Sequence, residues 1–239
     1  IWHLACPASP FFYQNDPINT LRVNYEGTYN LLNLAKSHNS KVLFTSTSEV
    51  YGETKNNPQE ENMPITLSTF SPRACYSEGK RVAETLMNSY RTKYGLNIRI
   101  ARIFNTYGPR LNLNDGRVIS NFIKQCSNNE NLTIYGDGSQ TRSFCYVSDL
   151  IDGLKELMKS NYCYPINIGN QEEISIIELA DLIRNIINKE IMLEYSTLPL
   201  DDPKRRKPCL KKAKKYLKWH PKVNLITGLN QTISSYKSI

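Results

Sequence analysis

Tyr76 and Lys80 stand four residues apart in "YSEGK", a spacing that puts both on one face of a helix. A free phenol ionises at about pH 10, too high for a base at neutral pH. A neighbouring ammonium stabilises the phenolate and lowers that value, so Tyr76 can then take a proton from an alcohol. A second candidate is Glu49, in "TSTSEVYG" (45–52), directly behind the apolar run "KVLF". Hydroxyls alone would cap that strand end, so a carboxylate following Thr45, Ser46 and Ser48 marks the strand end as a candidate site.

These residues need a scaffold that brings strand ends and helix starts together. "IWHL" (1–4), "KVLFTS" (41–46) and "LNIRIARIF" (96–104) read as strands. Residues 16–39 read as a helix, with Asp16 as N-cap and Pro17 at its first position. Residues 73–95 read as a long helix closed by Gly95. Strand–helix–strand–helix–strand at this spacing predicts a parallel sheet covered on both faces, an α/β class. Residues 105–117 read as a polar loop, followed by a helix near 118–129 and the strand "LTIYG". The remainder reads as "YPINIG" (164–169), a helix over 175–189, strand "IMLEY", a basic helix over 209–217 and a last helix near 226–237. Residues 1–110 are thus expected to form one α/β unit. Residues 111–239 are expected to form mainly a smaller α+β substrate lobe, with strands able to return to the sheet.

Composition narrows the class. The 239 residues carry 40% hydrophobic and 22% charged side chains, ordinary for a globular protein. No window approaches about 18 consecutive apolar residues, so no membrane partner is expected, and the start has no secretory pattern. Six scattered cysteines without a CxxC pair suggest reduced thiols and a cytoplasmic location. His3, His38 and His220 are far apart, and no metal is expected. The net charge of +8 gathers in "KRRKPCLKKAKKYLK" (204–218). Without a base-stacking or groove-reading motif beside it, this run reads as a solvated face, and no nucleic-acid partner is expected.

"STSEVYG", "YSEGK" and "ARIFNTYGPR", in this order, resemble the extended short-chain dehydrogenase/reductase superfamily of nucleotide-sugar enzymes. "NDGRVISNFIKQ", "LTIYGDGSQTRSFCYVSDL" and "DDPKRRKP" extend the resemblance over nearly the whole chain. It implies a Rossmann-like doubly wound parallel sheet lacking its first strands and Gly-rich loop, with residues 1–110 a partial NAD-binding domain, NAD as cofactor and a UDP-sugar as substrate. It also implies a homodimer through helices 16–39 and 73–95. Within the superfamily the Glu49 position discriminates. The 4-epimerases carry small or hydroxyl residues there, and the 4,6-dehydratases an adjacent Asp–Glu pair. Ser48–Glu49 fits neither pattern and implies NAD-dependent decarboxylation of UDP-glucuronate to UDP-xylose through a 4-keto intermediate. The alternatives are a 4-epimerase or 4,6-dehydratase, or an inactive nucleotide-binding fragment.

By resemblance, catalysis falls to Tyr76, Lys80, Glu49, Ser48 and Arg206. Leu4, Ala5, Cys6, Thr45, Ser46, Phe104 and Thr106 join Tyr76 and Lys80 around the cofactor. Tyr13, Asn105, Val118, Asn121, Tyr135, Arg142 and Arg206 are implied around the nucleotide sugar, and Arg206 near the substrate carboxylate. Cys209 and Cys6 depart from the Asp and Ser of the pattern. GxGxxG, which seats a pyrophosphate on a helix N-terminus, does not occur in the sequence. At about 30 residues per βα unit, roughly 60–90 residues are expected upstream, and the chain is expected to be a fragment.

Overall fold

Residues 1–54, 56–187, 190–198 and 204–236 are described in the computed structural model of the chain. β1 (Trp2–His3) is followed by α1 (Pro10–Asn15) and α2 (Pro17–Arg22), and Asp16 caps α2 by accepting from the Asn19 N–H at 3.0 Å. The expected helix over 16–39 is helical without interruption over residues 17–37, but it is not α-helical throughout. A π turn at Val23–Gly27 separates α2 from α3 (Thr28–Ser37). Its cause is Asn24, whose buried amide turns inward and donates to the Thr20 carbonyl (2.8 Å) and to Cys6 Sγ (3.0 Å). α1 was not legible in the sequence.

β2 (Val42–Thr47), α4 (Ala74–Tyr94) and β3 (Ile98–Ile103) agree with the sequence reading, and Gly95 ends α4 in the left-handed region at φ 67°. β4 (Thr106–Tyr107) lies inside the expected polar loop because it pairs with a later strand. Then come α5 (Val118–Ser127), β5 (Leu132–Tyr135), β6 (Thr141–Ser143), β7 (Cys145–Tyr146) and α6 (Val147–Lys159), a helix the sequence reading did not foresee. β8 (Pro165–Ile168), β9 (Glu173–Ser175), α7 (Ile176–Ile187), β10 (Leu193–Ser196), β11 (Arg205–Arg206) and α8 (Leu225–Tyr236) follow. The basic stretch turns helical only at Lys211, because Cys209 is bridged by its N–H to the Gln59 carbonyl (2.8 Å). The expected helix ends at 188–189 and 237, and 201–203 of "DDPKRRKP", lie outside the described residues.

The main sheet runs β1-β2-β3-β8, all parallel, with Thr45 opposite Ala101 and Thr47 opposite Ile103. Alternation sorts the strand residues. Val42, Phe44, Ile98 and Ile100 pack with Leu32, Ala35, Ala83 and Met87 of α3 and α4. Leu43, Ala101, Ile166 and Ile168 pack with Leu154 and Leu157 of α6. β8 comes from the second half of the chain, so both halves build the sheet. A separate core joins α5, α7 and α8 to β5, which pairs with β10. β6 is flanked by β11 and β9. Among the described residues no helix is long and apolar enough to cross a membrane.

Two buried polar ties fix the parts that matter. Glu84 of α4 accepts from Ser46 Oγ of β2 (2.5 Å) and from Arg102 Nε and Nη2 of β3 (2.9 and 2.7 Å). His3 of β1 meets Thr28 Oγ1 of α3 through Nε2 (3.0 Å). Burial, reinforced by the Lys80 ammonium, lowers the His3 pKa to about 4.

Glu84→Ala leaves a buried guanidinium without its carboxylate and is expected to cost about 3–5 kcal/mol, read from urea unfolding. Neutral His3 favours the fold fully above its unfolded pKa of about 6.5, and that advantage is lost as pH falls to about 4. The loss is expected to be on the order of 3 kcal/mol. Unfolding free energies compared with His3→Gln across this range will show it, and parallel slopes would disprove it.

Candidate active site

Parallel strands deliver their C-terminal ends to one side of a sheet, and a cavity of about 770 Å³ opens there. Thr45 to Glu49 line it from β2 and its 3₁₀ turn, Phe104 to Thr106 from the end of β3, and Leu4 and Cys6 from beyond β1. Tyr76 and Lys80 enter from the first two turns of α4. From the second half come Val118, Asn121, Tyr135, Arg142 and Arg206. Ala5 alone among the expected residues is exposed and absent from the lining.

Tyr76 and Lys80 share a face, as their spacing requires, yet they are not hydrogen-bonded through the phenol. Lys80 Nζ donates to the Thr45 carbonyl (2.8 Å) and lies 4.7 Å from the Phe44 ring centre and 5.9 Å from that of Tyr76. The Thr47 side chain lies near enough to the Tyr76 hydroxyl to favour its ionised form, a neighbour the sequence reading missed although it sits inside the quoted cluster. Burial pushes the Tyr76 phenol well above its ordinary range, and Thr47 only partly offsets this. Burial also lowers Lys80 from its ordinary value, against the pull of Cys6 and Glu84. Tyr13 is stacked on Tyr76, ring centres 4.9 Å apart and 2° from parallel, and its buried hydroxyl has no partner in the structure.

Glu49 is held from the other side. Arg206 Nη1 reaches its Oε1 at 2.5 Å across 157 residues, and Arg73 Nη1 reaches the same oxygen at 3.4 Å. Burial alone would raise the Glu49 pKa. The guanidinium groups of Arg206 and Arg73, with Arg142 further off, outweigh it and hold the carboxyl below its usual range. Arg73 was missed in the sequence because a lone arginine beside a proline carries no pattern of its own. Ser48 is buried next to Glu49, and the Thr47 hydroxyl accepts from the Glu49 N–H (3.2 Å). Arg142 is buried and donates through Nη1 to the Thr141 carbonyl (2.8 Å).

Other residues are already engaged. Ser46 belongs to Glu84, Thr45 Oγ1 donates to the His3 carbonyl (3.2 Å), and Thr106 Oγ1 donates to the Phe104 carbonyl (3.0 Å). Asn121 donates to the Gly116 carbonyl (3.3 Å), and Tyr135 stays half exposed at the rim. Of the basic run, Arg205 and Lys207 pair with Glu173, Lys211 with Glu60 and Lys212 with Glu61, while Lys214, Lys215 and Lys218 face water. The arrangement offers two groups able to exchange a proton, Tyr76 and Glu49, in one cavity. The buried ammonium of Lys80 and the small polar strand end at Thr45 suit the ribose and nicotinamide end of a dinucleotide, beside an arginine-rich end suited to an anion.

The NAD dependent epimerase/dehydratase family model matches residues 1–169. The chain is 53% identical over 229 residues to UDP-glucuronic acid decarboxylase 3 of Arabidopsis thaliana, covering 96% of this chain and 67% of that protein. It is 50% identical over 237 residues to UDP-glucuronic acid decarboxylase 1 of Xenopus tropicalis, covering 99% of this chain and 56% of that protein. The chain therefore spans from just over half to about two thirds of these relatives' lengths. Among solved structures it is similar to UDP-glucuronic acid 4-epimerase from Bacillus cereus in complex with UDP-glucuronic acid and NAD. That match has a TM-score of 0.88 and 30% identity, covering 99% of this chain and 74% of the other. With the family model spanning well over half of its length, the chain belongs to the NAD dependent epimerase/dehydratase family.

Proposed function

We propose that the protein containing this chain converts UDP-glucuronate to UDP-xylose, and that the residues above carry the steps. The observation that carries the reading is Glu49 clamped by Arg206 and Arg73 in the cavity that holds Tyr76. The approximately 50% identity to proteins named UDP-glucuronic acid decarboxylase supports it over epimerisation or dehydration. Bound NAD supplies the acceptor for a hydride from carbon 4 of the sugar and later returns it.

Tyr76 takes the proton of the carbon 4 hydroxyl, with Thr47 and the Lys80 charge favouring its ionised form. The ketone so formed lies β to the carboxylate, and carbon dioxide leaves as the ketone draws in the electron pair. Arg206 and Arg142 face the anionic substrate, and the enolate left behind is reprotonated at carbon 5 with Glu49 moving the proton. Ser48 supports that end by a hydrogen bond. Leu4, Cys6, Thr45, Phe104 and Thr106 line the cofactor side. Tyr13, Asn105, Val118, Asn121 and Tyr135 line the nucleotide-sugar side. A cytoplasmic location belongs to the same reading, and six free cysteines fit a reducing compartment.

The reading includes a two-fold dimer through α2, α3 and α4. Ile18, Leu21, Tyr25 and Tyr29 are exposed at helical spacing, and Val82 and Tyr94 are exposed on α4. A self-complementary contact would cover such a stripe.

Glu49→Gln changes shape little but cannot shuttle a proton. Given UDP-glucuronate and NAD, the variant is expected to accumulate the 4-keto sugar and NADH, whereas Tyr76→Phe loses at least about 100-fold in turnover and accumulates neither. Normal UDP-xylose output from either variant rejects the assignment, and UDP-galacturonate from the wild type would make the protein an epimerase. Light scattering is expected to give a dimer at micromolar protein and a weaker one for Tyr25→Asp; a monomer throughout rejects the interface.

A further inference from the structure

The geometry points to Arg73 as a positioning residue for Glu49, holding the carboxylate in place while Arg206 turns part of its bonding to the substrate. This rests on the decarboxylase reading above. Arg73 is fixed before its side chain does anything. It stands at the N-cap of α4, and its carbonyl accepts from the N–H of Tyr76, the N–H of Ser77 and Ser77 Oγ, all at 3.1 Å. It therefore moves with the turn that carries Tyr76, whereas Arg206 is carried by β11 in a different sheet.

Both guanidinium groups reach the same atom, Glu49 Oε1, and neither reaches Oε2. One oxygen is thus clamped and the other is left to exchange a proton. The contacts are unequal. At 2.5 Å the Arg206 bond is short and charge-assisted, while 3.4 Å puts Arg73 at the edge of hydrogen-bond reach. Arg206 also has capacity in reserve, since its Nε is buried in the structure with no partner. An anion that engages Arg206 draws on the cation now holding Glu49. Arg73, already within 3.4 Å of the same oxygen, is the group placed to take over.

The remaining charges around Glu49 do not supply this. Arg142 of β6 contributes at longer range, and Tyr13 of α1 and Tyr76 of α4 face Glu49 as neutral phenols whose ionisation it opposes. Removing Arg73 leaves burial acting on Glu49 against one fewer cation, so the carboxyl titrates at higher pH.

The test compares Arg73→Met, Arg73→Gln and Arg73→Lys with the wild type in two ways. The Glu49 carboxyl carbon, labelled with carbon-13 and assigned by its loss in Glu49→Gln, is followed between about pH 7 and 4.5 without substrate, a range in which a carboxylate of lowered pKa stays ionised. The wild-type resonance is expected to stay flat, the Met and Gln variants to begin titrating inside the range, and Lys to restore most of the flatness. In turnover of UDP-glucuronate the Met and Gln variants are expected to lose about tenfold in kcat with KM within about twofold, and the acid limb of kcat to move up in pH. A Glu49 resonance that stays flat in both neutral variants overturns the proposal. So does a rise in KM at unchanged kcat, which would make Arg73 a ground-state substrate contact. The carboxyl titration needs no turnover, so a wild type inert toward UDP-glucuronate would sink the decarboxylase reading and leave the resonance to decide on Arg73.

Discussion

Glu84 sits one helical turn beyond Lys80, which itself sits one turn beyond Tyr76, and the half-buried carboxylate ties this face of α4 to the sheet. It receives Ser46 from β2 and a forked pair of bonds from Arg102 of β3. A half-buried carboxylate shared between two strands leaves the helix little freedom to slide or roll, because any shift would strand the buried Arg102 guanidinium without its partner. Burial works against the Arg102 charge, and Glu84 more than restores it. The phenol and the ammonium are thereby held at fixed positions against Thr45 and Thr47. The chemistry at the strand ends inherits its geometry from this tie.

The opposite wall of the cavity is built by long-range closure. β11 places Arg206 beside β6, where Arg206 pairs in register with Arg142, and Ser143 Oγ donates to the Arg206 carbonyl (3.2 Å). From there Arg206 reaches back 157 residues to Glu49. A carboxylate buried with a surplus of guanidinium groups suits a site that must admit a further anion, since the surplus offsets the cost of bringing another negative charge out of water. The same surplus keeps Glu49 ionised and therefore able to accept a proton. Tyr76 is governed instead by burial, which raises its phenol against the smaller opposing pull of its neighbours.

Several elements escaped the sequence for identifiable reasons. The π turn at Val23–Gly27 depends on the Asn24 amide finding Thr20 and Cys6, and Cys6 lies in a loop 18 residues away. β4 is two residues long and exists because β7 lies beside it. Lys80 was expected beside the Tyr76 phenol, but the Thr45 carbonyl competes for its ammonium, and only the folded strand end presents that carbonyl.

Local chemistry in the sequence was enough for the α/β class, the run of α4 and its stop at Gly95, and the Asp16 cap, whereas grouping Glu49, Tyr76, Lys80, Arg142 and Arg206 came from the resemblance, and all five line one cavity. Period-two burial, helical spacing and capping act over a few residues, so they are written along the chain. Tertiary structure alone decided that β8 returns to the main sheet, that the Thr45 carbonyl rather than the Tyr76 phenol takes the Lys80 ammonium, and that Arg73 and Arg206 share one oxygen of Glu49. Those facts depend on distances between residues far apart in the chain, and a hydrogen bond is won or lost within an ångström that no spacing in the sequence records.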